Sequence, residues 1–304
     1  MRDSPWGPLP VSYAHVHFFS YQFFESLAGQ KKVSVQALGP ELGWQIPDVD
    51  PVRLAETWLR ELDRHGIDRS VLIASVPGDH ASVIAAVSHA PQRFIGYLMV
   101  NPAAPDAADH IEAALASGRI RGLCFFPAMH RFSMHDDRVS ALLNFVDRQP
   151  GTVVFVHCGV LSVGVRKKLG LPSLFDMRYS NPIDLHAIAM RHPHLRFVIP
   201  HFGAGYFREA LMLCDLCPNV YLDTSSSNSW MRYEEAHLDL RTVFRRALDV
   251  ASPHRLLFGT DSSFFPRGWN QHVFEAQAKA LYEIGANAET ARLFLHENLQ
   301  NLFS

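Results

Sequence analysis

The chain has 304 residues, 48 % of them apolar and 19 % charged, and a formal net charge of −2. That length can bury a substantial core and suits a large α/β barrel, and the charge leaves no basic surplus to attract nucleic acid or anionic lipid. No apolar run approaches the roughly 20 residues that span a bilayer, and the opening "MRDSPWGPLPVSY" has no signal-like apolar stretch, so a cytoplasmic protein is expected.

Along the chain, short apolar runs alternate with amphipathic stretches. The first run, "VSYAHVHFF", carries His15 and His17, which lie two apart and therefore on one side of a strand. Residues 18–50 then form a connection too long to be a simple turn. Such connections usually serve function, and at the mouth of a barrel this one would cap the site. "PVRLAETWLRELDRHG" follows, opening on Pro51 and closing at Gly66 as a helix does. The later runs are "RSVLIASV", "RFIGYLMV", "IRGLCFF", "TVVFVHCG", "LRFVIPHFG", "NVYLDTS" and "RLLFGTD". Helical patterns separate them, among them "ASVIAAVSHAP", "DRVSALLNFVDRQ", "REALMLCDLCP" and "EEAHLDLRTVFRRALDVA", and "FEAQAKALYEIG" and "ETARLFLHENLQNLF" close the chain. Runs that are apolar on both faces are those of buried parallel strands. Eight of them, each followed by a helix, make an α/β fold: a (β/α)8 TIM barrel with a capping insertion after the first strand, in a single domain over residues 1–304. The rival, a doubly wound open sheet, would favour a G-x-G-x-x-G turn after the first strand, and none is there.

Cys124, Cys158, Cys214 and Cys217 sit in apolar contexts, as reduced thiols do. Cys214 and Cys217 form a C-x-x-C, but no second pair completes a zinc site, and the spacing is one turn at a helix end.

The C-terminal ends of barrel strands carry the chemistry. There stand His15 and His17 on the first run, His157 on the fifth, His201 on the sixth and Asp261 on the eighth. An H-x-H pair alone arises by chance in a chain with 17 histidines, and a lone histidine at a strand end is more often only hydrogen-bonded. Asp261 in "GTDSS" reads equally as a turn residue. Together, imidazoles and a carboxylate converging on one mouth match the ligand set of a catalytic divalent metal. Burying them without a shared partner would be costly. For substrate contacts, the loops offer His130, Arg131, Arg178, Arg267 and Trp269, and a guanidinium suits a carboxylated substrate. Phe18, Phe19, Phe264 and Phe265 either flank the mouth or pack in the core.

"HVH", "VHCG", "PHFGAG" and "LFGTDSSFFP", in this order at these strand ends, resemble the amidohydrolase superfamily. The nearest resemblance is to its amidohydrolase-2 branch of metal-dependent hydrolases and aminocarboxymuconate-semialdehyde-decarboxylase-like enzymes. "RHPHLRFVIPHFG", "NVYLDTSS" and the tail "NLQNLF" look like that branch's sixth strand, seventh strand and closing motif, with Gln300 where alanine is usual. The resemblance implies that His15, His17, His157 and Asp261 bind one divalent metal, zinc by preference, with water completing the shell. It implies that His201 is a further ligand or, by preference, the proton-transfer residue, and that Asp261 takes part in catalysis as well. Many relatives carry an aspartate two residues before the first histidine; here Tyr13 stands there. Binuclear members carry a carboxylated lysine on the fourth strand, and none of Lys31, Lys32, Lys167, Lys168 and Lys279 lies in "IRGLCFFPAM", so one metal is expected.

The leading expectation is a metal-dependent hydrolase that opens an amide, ester or lactone bond of a small molecule with a metal-activated water; an arginine at the mouth would suit a carboxylated one. The alternative is a metal-dependent non-oxidative decarboxylase of an aromatic or unsaturated carboxylic acid, and the third a non-catalytic barrel. No nucleic acid or membrane partner is expected; the resemblance points to a homodimer.

Overall fold

The computed structural model describes residues 1–226, 228–234 and 238–304. Eight parallel strands follow one another in chain order: β1 Ser12–Phe18, β2 Arg69–Ala74, β3 Phe94–Val100, β4 Ile120–Phe125, β5 Val153–Val156, β6 Arg196–Ile199, β7 Val220–Asp223 and β8 Leu256–Leu257. The chain beyond β8 returns to β1. The Ala14 N–H donates to the Phe258 carbonyl at 2.8 Å, and Val16 pairs in parallel with Ser262. The expected (β/α)8 TIM barrel is the fold that forms.

Successive side chains along each strand alternate between the two sides of the barrel wall, as the strand period requires. Ala14, Ile73, Tyr97, Cys124, Phe155, Val198 and Leu257 pack with one another inside. Tyr13, Val16 and Phe18 pack outward with Leu54 and Trp58 of the helix layer. The β1–β2 register shifts between Tyr13 and Val16. This irregularity lets Tyr13 point outward, against Phe258 and Trp269, while His15 and His17 both face the site. Bulges of this kind commonly re-aim a side chain beside an active site.

The connection after β1 contains two helices, α1 (Tyr21–Lys31) and α2 (Val35–Leu42). Ser20 caps α1, its hydroxyl accepting from the Phe23 N–H at 3.3 Å, and Gly43 closes α2 in the left-handed region at φ 67°. Phe23, Phe24, Leu27, Leu38 and Leu42 pack with Val165 and Leu169 from the connection after β5. The Gln45 N–H donates to the Phe265 carbonyl at 2.9 Å. The insertion is thus fastened to the loops after β5 and β8, around the rim where a cap belongs. Helix α3 (Pro51–His65) follows, capped by Asp50 and ended by Gly66 at φ 66°.

The helix expected from "EEAHLDLRTVFRRALDVA" runs over Leu240–Ala251 behind the Asp239 cap; residues 235–237 of that stretch lie outside the described residues. All four cysteines are buried free thiols, with Cys214 inside the helix Phe207–Leu216 and Cys217 just past its end. No helix among the described residues is long and apolar enough to cross a membrane.

Candidate metal centre

Five strands deliver polar side chains to one end of the barrel. His15 and His17 come from the second half of β1, and Asp223 is the last residue of β7. His157, His201 and Asp261 lie just beyond β5, β6 and β8. His201 and Asp261 have positive φ, 58° and 54°. A non-glycine residue holds that conformation at a cost, and such strain clusters at functional sites.

The donor atoms converge. His15 Nε2 lies 3.3 Å from His17 Nε2, and Asp261 Oδ1 lies 3.7 Å from the first and 3.6 Å from the second. His15, His17 and Asp261 each offer a ligand atom within 4.8 Å of the other two. His201 lies tilted beside His15 with ring centroids 5.1 Å apart, and His157 meets His201 edge-on at 5.2 Å. Phe155 lies beneath His15 at 5.3 Å, and Phe126 backs His157 at 5.4 Å.

The outer nitrogens decide what the inner ones can do. His15 Nδ1 meets Asp223 Oδ2 at 2.6 Å, His17 Nδ1 meets the Ser75 hydroxyl at 2.9 Å, and His201 Nδ1 donates to the Ser225 carbonyl. Acceptors at Nδ1 place the proton there in His15 and His201 and leave the Nε2 lone pair for a ligand. His157 Nδ1 is buried without a hydrogen-bond partner. Imidazole lone pairs turned toward one carboxylate, with an orphaned buried nitrogen alongside, fit a divalent cation better than they fit one another.

Electrostatics separate the members. Burial would lower the His15 pKa, but the Asp223 carboxylate, with Asp261 further off, outweighs it and raises it. His17 is pushed down to about 3 by burial and by His15, against the pull of Asp261. Burial and neighbouring imidazoles hold His157 well below, and His201 below, the usual imidazole range. Burial alone would raise Asp261, yet His15, His17, His201 and Arg267 hold it below the usual carboxylate range. With its side chain 41 % exposed, Asp261 is the open edge of the site.

The residues named from sequence for substrate contact separate. Arg267 lies at this edge, its guanidinium 4.4 Å over the Phe264 ring and its Nη2 donating to the Asp261 carbonyl at 3.1 Å. Arg131 donates to the Leu174 carbonyl at 2.7 Å. Arg178, 81 % exposed, pairs with Asp176. Trp269 is buried behind the wall between Tyr13, His65 and Phe274, under the Arg2 guanidinium. His130 is half-buried, and burial pushes it down to about 4. Of the aromatic residues, Phe18 packs outward and Phe265 lies against Trp58. Phe19 and Phe264 share Trp44: Phe264 stacks on it at 3.9 Å and Phe19 lies 6.0 Å away.

Sequence reading misses Asp223, Ser225 and Ser75. A signal for Asp223 is present: "VYLD" is another apolar run ending on a polar residue, but it reads equally well as a strand followed by a turn.

A parallel barrel that gathers polar donors at its C-terminal mouth belongs to the TIM-barrel enzymes, which place their chemistry at that face. Within that class, the chain belongs to the amidohydrolase family, whose Amidohydro_2 model matches residues 14–303. Solved structures share the fold at low identity. A TIM-barrel protein from Bordetella bronchiseptica is 19 % identical, covers 97 % of this chain and 98 % of its own, and has a TM-score of 0.65. A probable 2-pyrone-4,6-dicarboxylic acid hydrolase from Acinetobacter baumannii, with citric acid bound, is 17 % identical over 97 % of this chain and 99 % of its own, with a TM-score of 0.63. An amidohydrolase from Burkholderia multivorans with bound zinc is 16 % identical at the same coverage, 97 % and 99 %, with a TM-score of 0.63. Among curated proteins, protein fluG of Emericella nidulans is 33 % identical over 113 residues, 36 % of this chain but only 13 % of fluG.

Proposed function

We propose that this chain is a metal-dependent hydrolase that opens an amide, ester or lactone bond of a small carboxylated molecule. The observation that carries the reading is the convergence of His15 Nε2, His17 Nε2 and Asp261 Oδ1, with the outer nitrogens already bonded. His15, His17, His157 and Asp261 would hold one divalent cation, zinc by preference. Bound there, it would supply Lewis acidity and bring the pKa of a water down to about 7.

The chain's own residues do the rest. Asp261, held below the usual carboxylate range and so ionised at pH 7, accepts the proton of the attacking water. His201, neutral at pH 7, holds its Nδ1–H on the Ser225 carbonyl and keeps Nε2 free to take that same proton on from Asp261 and pass it to the leaving group. Arg267 forms no ion pair among the described residues and faces the mouth from the Phe264 ring. It is placed to grip a substrate carboxylate, beside the stacked rings of Phe264 and Trp44.

The test is elemental analysis of protein purified without chelator, followed by assay on lactones with and without carboxylates. The relative named as a 2-pyrone-4,6-dicarboxylic acid hydrolase makes that dicarboxylate a rational first member of the panel. Stoichiometric metal and ring opening are expected. Release of CO₂ from the acids without ring opening would replace the reading with the decarboxylase, and absence of metal under every condition would remove both.

A further inference from the structure

Behind the candidate ligands lies a second, fully buried group. Asp223 and Ser225 are both fully buried. Asp223 Oδ1 accepts the Ser225 N–H at 2.7 Å, and Oδ2 faces His15 Nδ1 at 2.6 Å and the Ser225 hydroxyl at 2.9 Å. The Ser225 hydroxyl also lies 2.9 Å from His15 Nδ1 and 3.2 Å from His201 Nδ1, and its carbonyl accepts from His201 Nδ1. Both oxygens of Asp223 are therefore engaged, and no arginine or lysine pairs with it among the described residues. The wall is shaped for this carboxylate. A Cβ added at Gly259 would lie 2.5 Å from Asp223 Oδ1 and 2.7 Å from Ser225 Cβ, so only glycine leaves room for it.

We propose that Asp223 and Ser225 are positioning residues that lock His15 and His201 in the Nδ1–H tautomer, so that both present a bare Nε2 to the site. Among the neutral imidazole forms, the chemistry admits one arrangement. A carboxylate and a carbonyl only accept, so each nitrogen facing them must carry the proton. The Ser225 hydroxyl has a single proton, which goes to Asp223, leaving its lone pairs toward the two rings. Turning either imidazole to the other tautomer sets lone pair against lone pair in a buried place, an unpaired polar contact that burial penalises. A carboxylate behind a ligating histidine also raises its basicity as a ligand. Asp223 supplies from β7 the partner that residue 13 cannot, because Tyr13 points out of the barrel.

The assignment of roles rests on the metal reading above; the tautomers do not, and this separates the two in the test. Zinc affinity is measured by chelator competition for the wild type, Asp223→Asn and Ser225→Ala. Long-range ¹H–¹⁵N spectra of the imidazoles are recorded on the metal-free proteins at alkaline pH, with thermal unfolding as the control for folding. The Ser225 backbone N–H cannot give up its proton, so an asparagine keeps its oxygen there and turns its NH₂ to His15 Nδ1, which forces His15 toward the Nε2–H form. The expected result is a loss of zinc affinity of about 10–100-fold in Asp223→Asn, a smaller loss in Ser225→Ala, and Nδ1–H signatures for His15 and His201 in the wild type that change for His15 in Asp223→Asn. Unchanged affinity with folded variants, or a wild-type His15 carrying its proton on Nε2, overturns the proposal. If the wild type takes up no zinc, the metal reading fails alone and the spectra decide the positioning role. If Asp223→Asn does not fold, Ser225→Ala and the wild-type spectra decide it in the same way.

Discussion

The two flanks of the candidate centre are built differently. On the flank of β1 and β7, His15, Asp223 and Ser225 are buried and bonded to one another at nearly every polar atom. On the flank of the β8 connection, Asp261 is 41 % exposed, and Arg267 leans on Phe264 with no carboxylate partner among the described residues. The first flank has no vacancy for a substrate and fixes geometry. The second is charged and open, and can respond to what binds. Enzymes that pre-organise a site separate these duties, because a group that must hold a neighbour still cannot also follow the substrate.

The largest effect should come from the open flank's carboxylate. Asp261→Asn keeps the shape and removes the base, so turnover should fall by about 10²–10⁴-fold, the usual worth of general acid–base catalysis. Steady-state kinetics on the metal-loaded variant checks this; a loss below tenfold would move the proton-accepting role to another residue.

Acid should act next, and it should divide the imidazoles by the sign of their shifts. His17 is pushed down to about 3 and the outlying His130 to about 4, both chiefly by burial. Their folded values lie below the unfolded value of about 6.5, so the unfolded chain takes up protons first. The stability they contribute is present above about pH 6.5 and is lost as pH falls toward about 4 and then about 3. His15 has the opposite sign: Asp223 raises it, so its contribution is present below about pH 6.5 and is lost as pH rises through its folded value. A tenfold difference in proton affinity between the folded and the unfolded chain is worth about 1.4 kcal/mol. Urea unfolding of metal-free protein from pH 8 to 3 should show a falling midpoint, and His17→Gln should flatten the lower part of that fall. An unchanged slope in that variant would mean that His17 is already charged in the fold.

Arg267→Met should raise KM for a carboxylated substrate by about tenfold, the scale of one charge-assisted hydrogen bond of about 1.5 kcal/mol or more. Its kcat, and the kinetics of an uncharged analogue, should be preserved. A fall in kcat with KM unchanged would assign Arg267 to the reacting bond rather than to a remote carboxylate.

What is legible in the sequence follows the same division of labour. Buried parallel strands are apolar on both faces, so all eight can be read, including β8, of which only Leu256–Leu257 forms regular ladder before Val16 and Ser262 close the barrel. His15, His17, His157, His201 and Asp261 stand out because each interrupts or ends such a run. The shift at Tyr13 does not, since a register irregularity depends on the partner strand and leaves no local mark. Asp223 is hidden for a related reason: its meaning lies in His15, 208 residues away. Trp269, an aromatic beside an arginine in a promising loop, faces the other side of the wall, and residue type alone cannot say so. The two helices of the insertion are obscured by its aromatic content, although Ser20 and Gly43 mark helix ends.

The aromatic wall gives the smallest and most selective probe of the open flank. Trp44 belongs to the insertion, yet its ring lies flat on Phe264 of the β8 connection at 3.9 Å and 11°. Phe19 flanks it at 6.0 Å and in turn lies 5.7 Å from His17, and the Lys168 ammonium sits 5.6 Å over it from the β5 connection. Three loops thus meet on one ring. Trp44→Leu keeps apolar bulk and removes the flat face, at a cost of about 0.5–1.5 kcal/mol beyond area. If the cap only shields the mouth, KM should rise about threefold to tenfold on that scale for a planar substrate, with zinc affinity unchanged. The closed flank should not notice the change, because its bonds run through β1 and β7 and not through the insertion. Weaker zinc binding in Trp44→Leu would show that the stack, through Phe19, also holds His17, and the two flanks would then be one mechanical unit.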